Sequence, residues 1–79
     1  MTLHERIEEI FRDVLNDDGL VLADETTAAE VPGWDSLAHI NTMFSIEETF
    51  GIQFAGDEFA RLRTIGELKE TLRTKGVSA

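Results

Sequence analysis

The chain has 79 residues, of which 42% are hydrophobic, and it contains no cysteine. A chain of this length builds one domain around one modest core, and without disulfides the packing of its elements must hold that core together. Sixteen acidic residues against seven basic ones give a net charge of −9, which repels phosphate backbones and argues against nucleic acid as a partner.

No apolar run approaches the roughly 20 residues that a membrane-spanning helix needs, so we expect a cytoplasmic protein without membrane insertion, and a monomer. The charge is uneven, because eleven Asp or Glu and no Lys or Arg lie between Asp13 and Glu58, inclusive. This acidic middle is suited to basic partner proteins, although a solvated surface with no partner explains it as well.

The first predicted element is a helix over residues 3 to 16. Its apolar residues recur at steps of three and four: Leu3, Ile7, Ile10, Phe11, Val14 and Leu15. Thr2 and Glu5 form the pattern of a capping box at its start, and the segment from Asn16 to Gly19 supplies residues that end helices.

A long loop is predicted from Asp17 to Asp35, with Leu20 and Leu22 as anchors and room for a short helical turn. Its segment "ADETTAAEVPG" has no sustained period and contains the only proline. Because loops of this length are uncommon inside small domains unless they serve a function, this one is a candidate functional segment.

A second helix follows and runs to Gly51; its wide apolar face predicts the most buried helix of the fold. That face comprises Leu37, Ile40, Met43, Phe44, Ile46 and Phe50. An extended link containing Ile52 and Phe54 then leads to a short helix at about 57–62.

The last predicted helix starts at a second capping-box pattern, Thr64 with Glu67, and ends near Gly76. Its apolar stripe and basic C-terminal turn are Ile65, Leu68, Leu72, Arg73 and Lys75. The predicted fold class is all-α: a single domain over 1–79, forming a small four-helix bundle of three main helices and one short one, with a long loop between helices one and two.

Three kinds of chemistry are disfavoured by the residues. "VLNDDGLVLADE" nearly fits an EF-hand calcium loop, but the first ligand position holds Val14, which also belongs to the apolar stripe of helix one. The two histidines, His4 and His39, sit in different helices without cysteine, which argues against zinc. Ser36 lies three residues before His39 but lacks the Gly-x-Ser-x-Gly elbow of a serine hydrolase. Neither catalytic residues nor metal ligands are therefore assigned.

Asp35 and Ser36, at the predicted start of helix two, have two interpretations. Both residue types are favoured helix N-caps, so either one could serve only to start the helix. A hydroxyl at a helix N-terminus is also well placed to carry a phosphodiester, because the unpaired N–H groups and the helix dipole favour negative charge. Trp34, just before them, is either a core residue or an exposed ring beside the hydroxyl.

The stretch "GWDSLAHINTMFSIEETFGIQF" resembles the phosphopantetheine attachment region of acyl carrier proteins, and the order and lengths of the predicted elements are similar along nearly the whole chain. The resemblance implies a 4′-phosphopantetheine arm on Ser36, attached by a phosphopantetheinyl transferase that uses coenzyme A and magnesium. It also implies that Asp35 helps the transferase bind metal and substrate, and that Leu37 packs on its surface.

By the same resemblance, the protein is a carrier rather than an enzyme, and it holds acyl groups as thioesters for separate enzymes of fatty-acid, polyketide or related biosynthesis. Glu47 and Glu48 would meet basic residues of these partners, with His39 and Met43 as further partner-binding candidates and His39 expected to be exposed. The alternative is an acidic helical interaction module without cofactor, in which Ser36 only caps the helix.

The sequence departs from the pattern of general fatty-acid carriers. Ala38 and Asn41 stand where many of those carriers have acids, and Pro32 and Trp34 flank the glycine before the motif. These changes resemble specialised carriers and predict a dedicated acyl-loading ligase or acyltransferase as partner. An internal space for an acyl chain would be lined by Met43, Phe44, Ile52 and Leu68, although ordinary core packing is the favoured role of each.

Overall fold

The computed structural model describes residues 2–77, except for the side chains of residues 59 and 60. Residues 1, 78 and 79, at the ends of the predicted domain, lie outside the described residues. The elements are α1 (Leu3–Leu15), a 3₁₀ turn (Ala28–Glu30), α2 (Ser36–Phe50), α3 (Glu58–Arg61) and α4 (Ile65–Thr74). Between residues 2 and 77 the only strand-like pairing is an isolated bridge between Thr27 and Thr64. The all-α prediction is confirmed, with three principal helices and a single-turn α3.

The helix ends follow the chemistry of their caps. The Thr2 hydroxyl accepts from the Glu5 N–H at 3.1 Å and the Glu5 carboxylate accepts from the Thr2 N–H at 3.0 Å, so the first predicted capping box is complete. At α4 the Thr64 hydroxyl accepts from the Glu67 N–H, but the Glu67 carboxylate accepts from the Thr64 hydroxyl instead of its backbone. The second box is therefore only half formed. Asn16, with φ 53°, ends α1 in the left-handed conformation.

The core lies where α1, α2 and α4 meet. Its fully or almost fully buried side chains are Ile7, Phe11, Thr42, Met43, Ile46, Ile65, Leu68 and Leu72. The prediction that α2 is the most buried helix is wrong, because the structure exposes Leu37, Ile40 and Phe44 by 67%, 43% and 54%. Apolar residues cover more of α2 than its core-facing side can bury, so a second apolar strip is left facing solvent.

The first half of the long loop is held against α1 by side chains that bond its backbone. Leu20 and Leu22 are buried, as predicted. Arg12 Nε donates to the Leu20 carbonyl at 2.8 Å, and the Leu22 N–H donates to the Glu8 carboxylate at 2.8 Å. His4 Nε2 lies 2.6 Å from the Leu22 carbonyl oxygen. The anchors thus enter the core without leaving their backbone groups unsatisfied.

The middle of the loop is held against the start of α4. The Asp24 carbonyl accepts from the Gly66 N–H at 2.7 Å, and the Thr26 carbonyl accepts from the Ile65 N–H at 3.2 Å. Lys69 also forms an ion pair with Asp24. Loop carbonyls therefore satisfy N–H groups in the first turn of α4, which have no partner within the helix. Because the loop is anchored at two places, the start of α2 has a defined position.

Candidate functional site

Ser36 is the first residue of α2 and is exposed to solvent. Asp35, the N-cap, accepts from the Ala38 N–H through its side chain at 2.9 Å, and its carbonyl accepts from the His39 N–H at 2.8 Å. The cap role proposed from the sequence therefore belongs to Asp35, which leaves the Ser36 hydroxyl available for another role. The N-terminus of this 15-residue helix favours a negative group at that position.

The chain reaches Ser36 through a turn in which Gly33 has φ +85°, a left-handed conformation that favours glycine. The Trp34 N–H donates to the Val31 carbonyl at 3.2 Å, and the Asp35 N–H donates to the Gly33 carbonyl at 3.0 Å. This turn directs the Trp34 side chain inward, where only 7% of its surface remains exposed. Its ring meets Phe11 of α1 edge to face, at 4.7 Å between centroids. Trp34 is thus a core residue, the first of its two interpretations.

His39, one turn after Ser36, is oriented by this tryptophan. The indole N–H of Trp34 donates to His39 Nδ1 at 3.1 Å, and the two rings stack at 5.9 Å with 18° between their planes. His39 is half-buried, so the prediction of an exposed histidine is wrong. Its imidazole is a fixed part of the wall beside Ser36.

An open cleft of about 690 Å³ lies directly beside Ser36. One wall is the 3₁₀ turn region (Thr27, Ala28, Ala29), the second is the start of α2 (Trp34, Asp35, Ser36, His39, Ile40), and the third flanks α3 (Gly56, Leu62, Arg63). The internal space predicted from the sequence differs from this cleft. Met43 and Leu68 are packed in the core, as the favoured alternative held, whereas Phe44 faces solvent.

The predicted partner-binding residues are divided by the fold. Met43 is fully buried in the core, so its assignment as a partner contact is wrong. Glu48 is exposed, but the half-buried Glu47 accepts from the Phe54 N–H at 2.7 Å and so holds the link after α2. Leu37, predicted to pack on the transferase, is well exposed.

Sequence reasoning missed two features of this site. Ile40, assigned to the core, instead belongs to the exposed strip and also lines the cleft. Arg63 lines the same cleft although 27 positions separate it from Ser36. The approach of the α3–α4 loop to the start of α2 is a tertiary contact, for which the chain carries no local signal.

Within residues 2–77, leaving aside the undescribed side chains, no three His, Cys, Asp or Glu residues are grouped so as to hold a metal ion. Val14, at the first position of the EF-hand-like stretch, packs against the core. None of the helices in the described part is long and apolar enough to cross a membrane.

The family described as the phosphopantetheine attachment site matches residues 5–72. The chain belongs to this family. Among solved structures, it is similar to the holo acyl carrier protein from Geobacter metallireducens, determined by solution NMR, with 37% sequence identity and a TM-score of 0.85. The match covers 95% of this chain and 86% of that one.

The protein is therefore an acyl carrier protein with a covalently attached 4′-phosphopantetheine, and it is a carrier rather than an enzyme. This sets aside the alternative of an interaction module without cofactor. The residues fit such a group, because an exposed hydroxyl stands at the positive end of α2 and opens onto a cleft with room for part of a flexible arm. Its family implies interaction with a phosphopantetheinyl transferase and with biosynthetic enzymes.

Proposed function

We propose that Ser36 carries the phosphopantetheine arm and that the protein presents acyl groups to separate biosynthetic enzymes. The observation that carries this assignment is the exposure of Ser36 at the first position of α2. The region that matches the family contains one other serine, Ser45, which is half-buried in the middle of the same helix. A transferase needs an accessible hydroxyl, and Ser36 supplies one.

The surrounding residues hold this hydroxyl in place. Asp35 fixes the first turn of α2 through its bond to the Ala38 N–H, and the buried Trp34 ties the preceding turn to α1 through Phe11. The arm supplies the terminal thiol on which acyl groups are carried as thioesters, a group that this cysteine-free chain does not itself contain. The N-terminus of α2 offsets the charge of a phosphodiester on Ser36.

The test is covalent loading of the purified protein by a broad-specificity phosphopantetheinyl transferase with coenzyme A and magnesium, followed by mass spectrometry. The wild type should gain the mass of one arm, and Ser36→Ala should gain none. Ser45→Ala is the matched control and should be loaded like the wild type. Since Asp35 rather than Ser36 caps α2, Ser36→Ala should leave the helical circular dichroism signal unchanged. A loaded Ser36→Ala variant would place the arm elsewhere.

The partners are proposed to be a transferase that packs on Leu37 and a dedicated acyl-loading ligase or acyltransferase of a specialised pathway, for polyketides, peptides or modified lipids. Because Ala38 and Asn41 stand where many general carriers have acids, the first half of α2 has no acidic side chain. The exposed Glu48 places a negative charge near the C-terminal end of the helix. Basic partner surfaces should therefore dock toward the C-terminal half of α2. A monomer located in the cytoplasm remains the expected context.

A further inference from the structure

Arg63 lines the cleft beside Ser36, on the wall contributed by the loop between α3 and α4. Its side chain is exposed, and no carboxylate among the described residues forms an ion pair with it. Arg61, two residues earlier, pairs with Asp57 at 3.6 Å. In a chain of net charge −9, a cation without a carboxylate partner at the edge of this cleft is a feature that the carrier role alone does not require.

The core next to the cleft is already filled. Trp34 lines the cleft and is almost entirely buried, and Met43 and Ile46, which belong to the same core cluster, have no exposed surface. Because packed cores tolerate added volume poorly, an acyl group on the arm meets less resistance in the open cleft than in the core. There it is bordered by Ile40, Leu62 and Arg63.

Two anions on a loaded arm could meet Arg63. The phosphodiester is bonded to Ser36 and therefore stays at the N-terminus of α2, where the helix dipole already favours it. A carboxylate at the far end of the acyl group is free to reach the opposite wall. The Asp35 carboxylate, in the same cleft, is bonded to the Ala38 N–H and forms no ion pair with Arg63.

On the basis of the proposed attachment at Ser36, we infer that the cargo class of this carrier is an acyl group with a free carboxylate at its distal end, bound by the guanidinium of Arg63. Arginine suits this task because its planar fork of N–H donors matches a carboxylate. Elsewhere the acidic surface repels such a cargo, so Arg63 determines where it rests.

The experiment compares two acyl groups of equal carbon number, glutaryl and pentanoyl, which differ in the terminal carboxylate. Each is loaded from its coenzyme A thioester by a broad-specificity transferase, and mass spectrometry verifies loading before and after thermal unfolding. The glutaryl form should melt above the pentanoyl form by about 2 to 5 °C, as for one partly exposed charged pair in a domain of this size. The Nε–H resonance of Arg63 should shift only in the glutaryl form.

Arg63→Gln should abolish the difference between the two loaded forms, whereas Arg61→Gln, the matched control outside the cleft, should retain it. A difference that survives in Arg63→Gln overturns the inference. An Arg63 resonance that shifts equally in the unloaded holo form also overturns it, because the phosphodiester is then the bound anion. Both outcomes leave the proposed function intact, whereas a carrier that accepts no arm on Ser36 contradicts both.

Discussion

Trp34 donates its indole N–H to Nδ1 of His39 at 3.1 Å, so a side chain from the turn before α2 is bonded to a side chain one turn inside the helix. The bond spans residues 35 to 38, among them Asp35 and Ser36 at the helix start. Since Nδ1 accepts this bond, the proton of the neutral imidazole lies on Nε2 while the bond is intact. The tryptophan ring also packs against Phe11 of α1, so Phe11, Trp34 and His39 together join the start of α2 to the core.

Trp34→Phe should lower the free energy of unfolding by about 1 to 3 kcal/mol, because a ring remains to pack on Phe11 but His39 loses its donor. The measurement is urea unfolding in a double-mutant cycle with His39→Leu. We expect a coupling energy of about 0.5 to 1.5 kcal/mol between the two sites. Strictly additive single-variant losses would contradict an energetic role for the bond.

The helix starts were predictable from the sequence because their signals are local. Thr2 and Glu5 lie three residues apart and complete their capping box within one turn. The burial of α2 was not predictable, because its apolar residues surround more than one face and periodicity alone cannot choose between Met43 and Phe44. That choice depends on where α1 and α4 pack.

The candidate site also has one part that was predictable from the sequence and another that was not. The place of Ser36 at a helix start left two interpretations open, and the resemblance of its surroundings to acyl carrier proteins assigned the arm to it; its exposure agrees with that role. The Trp34–His39 bond and the arrival of Arg63 at the cleft depend on how the long loop is anchored to α1 and α4. The sequence marks Leu20 and Leu22 as anchors of that loop, but the hydrogen bonds that hold its backbone to α1 and α4 could be seen only in three dimensions.

Gly66→Ala should destabilise the protein, because a Cβ at this position would lie 3.1 Å from the Asp24 carbonyl oxygen. That oxygen accepts from the Gly66 N–H itself at 2.7 Å, and Asp24 is held by Lys69, so the loop has little freedom to move away. We expect a net loss of about 0.5 to 1.5 kcal/mol, since the contact opposes the gain that alanine usually brings to a helix. Chemical unfolding measures it.

Gly56→Ala is the control for this substitution, because an added Cβ there meets nothing within 4 Å. It should leave the stability unchanged or raise it slightly. Equal effects of the two substitutions would contradict a close contact between the loop and α4.

The Glu58 carboxylate ties α3 to the C-terminal end of α4. The Lys75 ammonium, 2.8 Å from it, and the Ala55 N–H that donates to it hold the pKa of this carboxyl below its usual range. When folding lowers the pKa of a carboxyl, the ionised group stabilises the folded protein at pH values above its unfolded pKa. This stabilisation is lost as the pH falls through the folded pKa. At pH 7 the wild type should therefore melt above Glu58→Gln.

The difference in melting temperature between the wild type and Glu58→Gln should disappear as the pH is lowered below the ordinary pKa of a glutamate, about 4.3. Melting curves across this range measure it. Glu9→Gln controls for net charge, because Glu9 is exposed on α1 and no described cation pairs with it. A gap of the same size and pH dependence in Glu9→Gln would mean that general charge repulsion, and not the bond to Lys75, is responsible.

The proposed specialisation predicts that fatty-acid synthase enzymes use the wild type poorly and the double variant Ala38→Asp, Asn41→Glu better. Exposed charge pairs contribute about 0.2 to 1 kcal/mol each, so restoring two acids should raise elongation rates several-fold at low salt, with a smaller gain at high salt. Ala38→Asn with Asn41→Gln matches the size without the charge and should show no gain. A wild type already as active as a general fatty-acid carrier would refute the proposal.

The position of Trp34 also makes its intrinsic fluorescence a probe of the cleft. The chain contains one tryptophan and no tyrosine, so light at the long-wavelength edge of protein absorption excites a single ring, two residues before Ser36 and on the wall of the cleft. Any group that enters the cleft changes the surroundings of that ring, and any break of its bond to His39 does the same. Loading, unloading and handover of cargo should therefore be visible as changes in emission in real time, without a dye on the arm or on its enzymes.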